Sequence, residues 1–475
     1  MIWAIYFFDR DILVVLQHFP VQVMKLHIRL IQFSALFFTT LLLVQATSTS
    51  QTILSGHTDA VSWAEYSPDG TLIVTAGYDG LGKLWDATTG EEVRSLVGHT
   101  SRLTSAKFSR DGTMVLTVGD DFTVRAWRTA TGELLQTFTA STRVRDAAFS
   151  PDGKWVAEGI WDSTVRVWSV ATGEELHVMR GHTGNIFSID VSSDGKMIAS
   201  ASIDGTAIIW DAETGTLLHR LTGHTGGVNM ARFSNDARYV ATAGFDNLAI
   251  IWDPITGDSL RVLRGHTDRV RAAYFNSDGT RLVTSSFDFT ARIWDVQTGE
   301  SLHLLDQHQN RLREATFSSD DRFVATASED WSGGVWSAAT GAGVFPLFGH
   351  TDRLFTARFS PDVSHVVTAS YDNTARIWDI RSLGVESRET EVEAPRFTLS
   401  PIPASSAVNV HLQGSDVRGY EVEVLDYLGR SVAFRRVEAD SEDVMIPVDE
   451  LANGIYLFRF LYNQGEFTQR MVIHR

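Results

Sequence analysis

The chain has 475 residues, 43% of them hydrophobic, which is enough for two or three domains with a sizeable core. It contains no cysteine, so disulfide bonds, thiolate metal sites and thiolate nucleophiles are excluded. The net charge of −17 argues against nucleic-acid binding through bulk charge, and since only five of the 41 basic residues are lysine, nearly every fixed positive charge is an arginine.

The N-terminal region carries the pattern of an export signal. A short positive segment at 25–29 precedes an apolar run at 30–44 and a small-residue cleavage pattern at 44–46, which together predict a secretory signal peptide over residues 24–46. The apolar run is short for a membrane span, and a retained membrane anchor is the alternative. Residues 1–23 are interpreted as an N-terminal extension from a start codon assigned too early, because charged residues interrupt their apolar pattern.

One unit of about 42 residues recurs eight times between Gly56 and Asp379. Most copies open on Gly-His and close on Trp-Asp, and each indicates four short strands separated by turns that contain Gly and Asp. The tryptophans of the eight units are Trp85, Trp127, Trp168, Trp210, Trp252, Trp294, Trp336 and Trp378. A repeat with this period and these dipeptides resembles the WD-repeat family, in which each unit supplies a four-stranded blade of a β-propeller.

The resemblance implies an all-β fold with an eight-bladed WD-repeat β-propeller over residues 51–383. The eighth unit lacks an outer strand after Trp378, whereas residues 51–54 indicate an outer strand with no blade of their own. In a WD-repeat ring the first strand completes the last blade, which covers two edges that would otherwise pair with other chains. We therefore expect residues 51–54 to pair beside the strand that contains Trp378.

The resemblance also implies a buried hydrogen-bonded tetrad of His, Thr or Ser, Asp and Trp in each blade. Two of the predicted structural tetrads are His57, Thr75, Asp79 and Trp85, and His182, Ser200, Asp204 and Trp210. A histidine, an aspartate and a hydroxyl group also compose a catalytic triad. Seven copies favour the structural role, because an enzyme needs one such site whereas a network that holds a blade is needed in every blade.

The third unit departs from this pattern. Ser141 occupies the histidine position, and Glu158 replaces the hydroxyl residue. Sequence drift in one blade of eight is one interpretation. The alternative is a local functional site around Glu158, Trp161 and Asp162.

The variable positions of the repeat predict a binding face. In WD-repeat proteins the top face of the ring is lined by the residue before the blade aspartate and by two alternate positions at the start of the innermost strand. Here these positions hold Arg102, Arg143, Arg145, Trp161, Phe187, Phe245, Arg269, Arg271, Phe287, Arg311, Arg313, Arg353, Phe355 and Tyr371, with Tyr78 as a further aromatic residue and Asp120 and Glu329 as acidic exceptions. Guanidinium groups bind carboxylate, sulfate or phosphate and aromatic rings supply rigid contact area, so these residues form the predicted ligand-binding site. The alternative is a rim whose arginines pair with carboxylates of the same face.

The C-terminal region, residues 395–475, follows an acidic linker at 384–394 and has a different pattern. Alternating runs separated by Gly and Asn turns predict a small Ig-like β-sandwich. Four segments resemble the C-terminal sorting domain of the type IX secretion system: residues 399–405, 422–430, 451–459 and 468–473. This resemblance implies passage through the outer membrane by that machinery, and then release or attachment to the cell surface. An adhesive Ig-like module is the alternative.

These features predict a secreted or surface-displayed protein without enzymatic activity, whose top face binds a protein or an anionic polysaccharide. We expect the type IX machinery as a further partner, and no metal, cofactor or nucleic acid, because the sequence offers no metal-ligand cluster or phosphate loop. The alternative is an exported hydrolase that acts on a glycan or a peptide in the central pocket and requires Glu158 or Asp162. An intracellular scaffold would require the signal and sorting segments to be misinterpreted.

Overall fold

The computed structural model describes residues 51–381 and most of the strands that follow. The described C-terminal residues are 396–400, 407–413, 420–425, 431–437, 443–448, 451, 454–462 and 465–473. The predicted N-terminal extension, signal peptide and acidic linker lie outside the described residues. The chain divides into two compact units, residues 1–384 and 385–475.

The first unit contains eight antiparallel sheets of four strands, which we call blades 1 to 8. The strand that precedes blade 1 and the strands of blades 1 to 4 are β1 (Gln51–Ser55), β2 (Val61–Tyr66), β3 (Leu72–Gly77), β4 (Gly82–Asp86), β5 (Glu92–Leu96), β6 (Leu103–Phe108), β7 (Met114–Gly119), β8 (Thr123–Arg128), β9 (Leu134–Thr139), β10 (Val144–Phe149), β11 (Trp155–Ile160), β12 (Thr164–Ser169), β13 (Glu175–Arg180), β14 (Ile186–Val191), β15 (Met197–Ser202), β16 (Thr206–Asp211) and β17 (Leu217–Thr222). The strands of blades 5 to 8 are β18 (Val228–Phe233), β19 (Val240–Gly244), β20 (Ala249–Trp252), β21 (Ser259–Leu263), β22 (Val270–Phe275), β23 (Arg281–Ser286), β24 (Ala291–Asp295), β25 (Ser301–Leu305), β26 (Leu312–Phe317), β27 (Phe323–Ser328), β28 (Gly333–Ser337), β29 (Gly343–Leu347), β30 (Leu354–Phe359), β31 (His365–Ser370) and β32 (Thr374–Asp379).

The turn between the first and second strands of a blade is stabilised by its own side chains. In blade 1 the Ser67 hydroxyl donates to Asp69 at 2.6 Å, and Asp69 accepts the backbone N–H of Thr71 at 3.1 Å. Gly70 has a φ of 73°, a left-handed conformation that glycine adopts without steric cost. The Ser-Pro-Asp-Gly sequence therefore specifies where this hairpin reverses.

The ring closes through the first strand of the chain. Strand β1 pairs antiparallel with β32, with Gln51 opposite Trp378 and Ser55 opposite Thr374. This pairing completes blade 8 as the order β1-β32-β31-β30 and confirms the expected position of residues 51–54. The edge of β32 is thereby covered by a strand from the other end of the propeller.

The core lies between neighbouring blades rather than within one sheet. One buried cluster joins Leu84 and Leu96 of blade 1 to Leu103 and Trp127 of blade 2. Because both faces of each sheet pack against neighbours, the second strand of a blade is a continuous apolar run, and five of the six residues of β3 are buried. Each blade is thus stabilised by the blades on either side.

The described residues of the second unit form seven antiparallel strands in two sheets. They are β33 (Arg396–Ser400), β34 (Ala407–Gln413), β35 (Tyr420–Leu425), β36 (Ser431–Val437), β37 (Asp443–Pro447), β38 (Gly454–Tyr462) and β39 (Gly465–Ile473). One sheet has the order β33-β34-β37 and the other the order β36-β35-β38-β39. Alternate residues Val422 and Val424 on β35 are buried, which is the pattern of a strand with one covered face. The Ig-like sandwich stays a prediction.

Candidate functional site

The tetrad of blade 1 is a continuous chain of hydrogen bonds. Trp85 Nε1 lies 2.8 Å from Thr75 Oγ1, which lies 2.8 Å from His57 Nε2, and His57 Nδ1 lies 3.0 Å from the Asp79 carboxylate. Since an indole N–H can only donate, Thr75 accepts from Trp85 and donates to His57, whose Nδ1–H then donates to Asp79. All four side chains are used within the blade.

Six further blades repeat these contacts with nearly the same distances. The sets are His99, Thr117, Asp121 and Trp127; His182, Ser200, Asp204 and Trp210; His224, Thr242, Asp246 and Trp252; His266, Thr284, Asp288 and Trp294; His308, Thr326, Asp330 and Trp336; and His350, Thr368, Asp372 and Trp378. Burial lowers the pKa of His99, although Asp121 partly opposes the shift. Burial raises the pKa of Asp204, but hydrogen bonds from His182 and the backbone of Thr183 outweigh it, and the net shift is downward.

Blade 3 carries a different network. The Ser141 hydroxyl donates to Asp162 at 2.7 Å, and Arg166 approaches the same carboxylate at 3.2 Å. Neither carboxylate oxygen of Glu158 nor Nε1 of Trp168 has a hydrogen-bond partner among the described residues. Glu158 is 0% exposed, and burial raises its pKa to about 8. The indole N–H of Trp168 lies outside normal hydrogen-bond geometry but near enough to oppose that shift in part, as does the charge of Arg166.

The predicted local site around Glu158, Trp161 and Asp162 does not form one cleft. Glu158 is sealed inside the blade, Asp162 is held by Ser141, and the Trp161 ring lies 4.7 Å below the Arg143 guanidinium. Neither Glu158 nor Asp162 lines the central cavity. The geometry therefore gives no support to a hydrolase that uses these carboxylates there.

The first strands of the blades surround a central cavity of about 170 Å³. Besides Tyr78, five of the predicted top-face residues line it: Arg145, Phe187, Arg271, Arg313 and Phe355. Each stands second in the first strand of its blade, so the eightfold repeat brings side chains from distant parts of the chain to one opening.

Two arginines in this cavity have no counter-ion. Neither Arg145 nor Arg271 has a hydrogen-bond or ion-pair partner for its guanidinium group in the part of the chain that the structure describes. Burial lowers the pKa of Arg271 to about 9, and the positive charges of Arg145 and Arg313 add to the shift. Burial, together with the charge of Arg143, also lowers the pKa of Arg145. Both cations are therefore held at an electrostatic cost in the free protein.

The carboxylates that line the same cavity are already neutralised. Asp146 lies 2.5 Å from Lys107 Nζ and 3.5 Å from Arg232 Nη2. Glu314 lies 2.7 Å from Arg358 Nη2. These pairs bring in cations from the far ends of their first strands. Asp146 and Glu314 therefore oppose the downward pKa shifts of Arg145 and Arg271 only in part.

Around this opening the predicted arginines stack on the predicted aromatic rings. The distances from guanidinium carbon to ring centroid are 4.7 Å for Arg143 and Trp161, 4.7 Å for Arg269 and Phe245, 4.9 Å for Arg311 and Phe287, 4.6 Å for Arg353 and Tyr371, 5.6 Å for Arg313 and Phe355, and 5.2 Å for Arg102 and Tyr78. A guanidinium held over a ring gains a cation–π attraction and loses less conformational freedom when it binds a ligand.

Half of the eight arginines pair with carboxylates of the same face. Arg102 and Arg143 share Asp120 at 2.5 and 2.6 Å, Arg313 pairs with Glu329, and Arg353 lies 3.8 Å from Asp352. The other four, Arg145, Arg269, Arg271 and Arg311, have no carboxylate partner among the described residues. The self-neutralised rim thus accounts for only part of this face.

Five of the aromatic residues also form two clusters of their own at the rim. Tyr78, Phe355 and Tyr371 contact one another with ring centroids 5.7 to 6.0 Å apart, across the junction where the ring closes. Phe187 and Phe245 lie 6.0 Å apart. The face therefore offers apolar contact area beside its unpaired arginines.

A second cavity, of about 740 Å³, lies beside blade 7 and was not expected from the sequence. Trp331 and Phe348 on its border are 55% and 67% exposed. Gly334 stands where other units carry a long side chain two residues before the tryptophan, such as Lys83 or Arg376. Gly334 lines the cavity, and an alignment of the eight repeats would have shown that it differs from the residues at the equivalent positions.

The described residues offer no conventional metal centre. They contain no group of three or more His, Asp or Glu side chains that could hold a metal ion. No helix in the same residues has the length and apolar character needed to span a membrane.

A closed ring of eight four-stranded antiparallel sheets around a central cavity defines the first unit as an eight-bladed β-propeller. Comparison with known families finds the WD domain, G-beta repeat eight times, at residues 48–86, 90–128, 132–169, 173–211, 215–253, 257–295, 299–337 and 343–379. Since these matches span more than half of the sequence, the chain belongs to the WD40 repeat family.

The second unit matches another family. Residues 398–474 correspond to the family described as a secretion system C-terminal sorting domain. The sorting domain indicates type IX secretion and export to the cell surface or beyond. The predicted signal peptide, which would act earlier in export, lies outside the described residues.

Individual proteins resemble the chain over different extents. Ribosome assembly protein 4 of Chaetomium thermophilum is 45% identical over 42 residues, which is 9% of this chain and 8% of that protein. The crystal structure of the computationally designed Ika8 protein is 28% identical with a TM-score of 0.62, and the match covers 68% of this chain and 98% of that one. The curated relative therefore shares about one repeat, whereas the designed protein shares the propeller fold.

Proposed function

We propose that this protein is an exported, non-enzymatic binding platform whose propeller holds a protein partner on its top face. The sorting domain supports export, and the WD40 repeats support a binding role. The observation that carries the proposal is the set of four top-face arginines without a carboxylate partner, beside aromatic clusters, on a protein with a net charge of −17.

Two of these arginines are exposed and already oriented. Arg269 and Arg311 lie over Phe245 and Phe287, and both guanidinium groups are open to solvent. Arginine and aromatic side chains are the residues that contribute most to protein interfaces, because they combine a large contact area with bidentate hydrogen bonding. A carboxylate-bearing partner would find these cations free, whereas Arg102 and Arg143 would first have to give up Asp120.

A protein partner fits this face better than an anionic polysaccharide. A polyanion is held mainly by a continuous run of positive charge, but Asp120, Glu329 and Asp352 interrupt the arginines of this rim. The cluster of Tyr78, Phe355 and Tyr371 instead offers the apolar area that a protein interface uses.

The test compares matched charge removals on the two faces of the mature chain. Arg269→Gln with Arg311→Gln removes two unpaired arginines from the top face. The control, Arg238→Gln with Arg322→Gln, removes two arginines from turns between first and second strands, at the opposite end of their blades.

Cross-linking on intact secreting cells identifies the bound protein, and its affinity is then measured over a salt series. We expect about tenfold weaker binding and a shallower salt dependence for the top-face variant only. Equal affinities for wild type and top-face variant would refute the proposal. Tighter binding of a sulfated polysaccharide than of any surface protein would replace the protein partner by a glycan.

A further inference from the structure

The mouth of the central cavity holds more positive charge than its own surroundings neutralise. Its charged lining residues are the cations Arg145, Arg232, Arg271 and Arg313 and the anions Asp146 and Glu314. This lining has a surplus of two positive charges within a chain whose net charge is −17. An arrangement that is unfavourable in the free protein becomes favourable once an anion is bound.

The two unpaired cations come from opposite parts of the sequence. Arg145 stands on β10 of blade 3 and Arg271 on β22 of blade 6, and both reach the same cavity. Arg313 on β26 lines it too, but its guanidinium is paired with Glu329. Phe187 and Phe355 form apolar parts of the wall, which reduces the screening of charges inside the mouth.

The size of the cavity limits what it can hold. About 170 Å³ corresponds to roughly five or six water molecules, which is room for one small anionic group with some of its hydration. Pockets for whole cofactors or drug-sized ligands measure about 300 to 1,000 Å³. The space therefore suits one small anionic group of the size of a carboxylate or an inorganic oxyanion.

We propose that the mouth of the central cavity binds a single carboxylate or inorganic oxyanion between Arg145 and Arg271. This inference rests on the proposed function: the anion is either an acidic side chain of the protein partner or a free ion such as phosphate. In both cases the two guanidinium groups donate to its oxygens, and Asp146 and Glu314 stay paired with Lys107, Arg232 and Arg358.

The first experiment measures inorganic phosphate alone by calorimetry, at constant ionic strength set with chloride, on the mature chain. Arg145→Gln and Arg271→Gln are compared, singly and together, with the control Arg238→Gln, which removes an arginine from the turn between β18 and β19, at the opposite end of its blade. We expect each cavity variant to bind phosphate about tenfold to a hundredfold more weakly, and the control to bind like wild type. Unchanged phosphate affinity in both single variants would overturn the proposal.

A second readout separates binding from general stability. Arg145 and Arg271 have no ion-pair partner among the described residues, and burial lowers the pKa of both. Each of these variants should therefore melt at a higher temperature than wild type in chloride buffer. The difference should shrink in phosphate buffer, because bound phosphate stabilises the wild type. If both single variants melt lower in chloride and phosphate shifts every protein equally, the arginines serve the fold and the inference is wrong.

A third measurement distinguishes the two sources of the anion. A peptide of four glutamates is tested as a competitor of phosphate. Competition in the wild type, together with direct binding of the peptide that is weakened in Arg271→Gln, supports an acidic side chain as the ligand. Phosphate binding without competition supports a free ion. The two proposals are refuted by different results. Unchanged affinity for the protein partner in Arg269→Gln with Arg311→Gln would refute the top-face proposal. Unchanged affinity for phosphate in Arg145→Gln and Arg271→Gln would refute the anion site.

Discussion

At the scale of single residues, the hydroxyl position of the tetrad holds a neutral side chain in seven blades and a carboxyl group in blade 3. In seven blades it is a hydroxyl such as Thr242, which accepts from Trp252 Nε1 at 2.8 Å and donates to His224 Nε2 at 2.8 Å. In blade 3 it is Glu158, which is equally buried and forms no hydrogen bond of normal geometry with the described residues. Each of these two residues leads to a prediction about stability.

Thr242→Val keeps the side-chain shape and removes the hydroxyl group. The variant leaves the buried Trp252 Nε1 and His224 Nε2 without partners, so we expect the free energy of unfolding to fall by about 2 to 4 kcal/mol. Thr242→Ser retains both hydrogen bonds and is the matched control. Urea unfolding measures both, and a valine variant as stable as the serine variant would contradict the structural role of the tetrad.

Glu158 should make blade 3 less stable as the pH rises. Its pKa in the folded protein is raised from 4.5 to about 8, so the folded state favours the protonated form. The stability that this group contributes is fully present below about pH 4.5 and is lost as the pH rises to about 8, a change on the order of 5 kcal/mol.

Glu158→Gln is the test of this dependence, because glutamine has nearly the same shape and does not titrate. Free energies of unfolding are compared at pH 5.5 and pH 8.5 for both proteins. We expect the difference between variant and wild type to grow in favour of the variant at the higher pH. A difference that does not change with pH would show that Glu158 is not buried as a neutral acid.

At the scale of elements, the ring depends on a strand that is separated from its blade by almost the whole propeller. Strand β1 alternates between its two faces: Leu54 is 0% exposed, and Ile53 is 46% exposed. Leu54 packs with Trp85 of blade 1 and Ile377 of blade 8, so it seals the junction of the first and last blades. Each of the other blades takes its four strands from one continuous stretch of chain.

Leu54→Asp should therefore open the ring, because it places a carboxylate in the apolar junction and frees the edge of β32. We expect a loss of several kcal/mol of stability and the appearance of oligomers by size-exclusion chromatography with light scattering. Ile53→Asp, one residue away on the exposed face, should stay monomeric and close to wild type in stability. Identical behaviour of the two variants would argue against closure through β1.

At the scale of the whole molecule, the two units have different roles. The propeller contains the tetrads, the cavity and the arginine face, whereas residues 398–474 match a family that directs export. The two units belong to separate families, so the sorting domain can be deleted while the propeller and its proposed binding face are kept.

A chain that lacks residues 398–474 should keep the folded propeller and fail to reach the cell surface or the medium. We expect cell fractionation to find the shortened chain on the inner side of the outer membrane. Its near-ultraviolet circular dichroism should show the folded propeller of the intact protein. Leu54→Asp in the complete chain is the converse control, since it perturbs the propeller but leaves the sorting domain in place. Normal export of the shortened chain would contradict the role of this domain.

Much of the fold and part of the candidate site could be predicted from the sequence. The Gly-His and Trp-Asp dipeptides mark each blade, and the unpaired strand at residues 51–54 indicated how the ring closes. The positions of Arg145 and Arg271 in their repeats placed both on the top face. Their lack of counter-ions could not be predicted, because Asp120 is taken by Arg102 and Arg143 only once neighbouring blades pack together.

The sequence by itself determined the number and kind of blades and the family of the sorting domain, because these depend on patterns within about 42 residues that recur or match as a whole. Only the tertiary structure decided which charges are neutralised, which cavity the arginines share and that Glu158 is sealed from solvent. The physical reason is that pairing and burial depend on distances between side chains from different blades. Those distances exist only after the ring has closed.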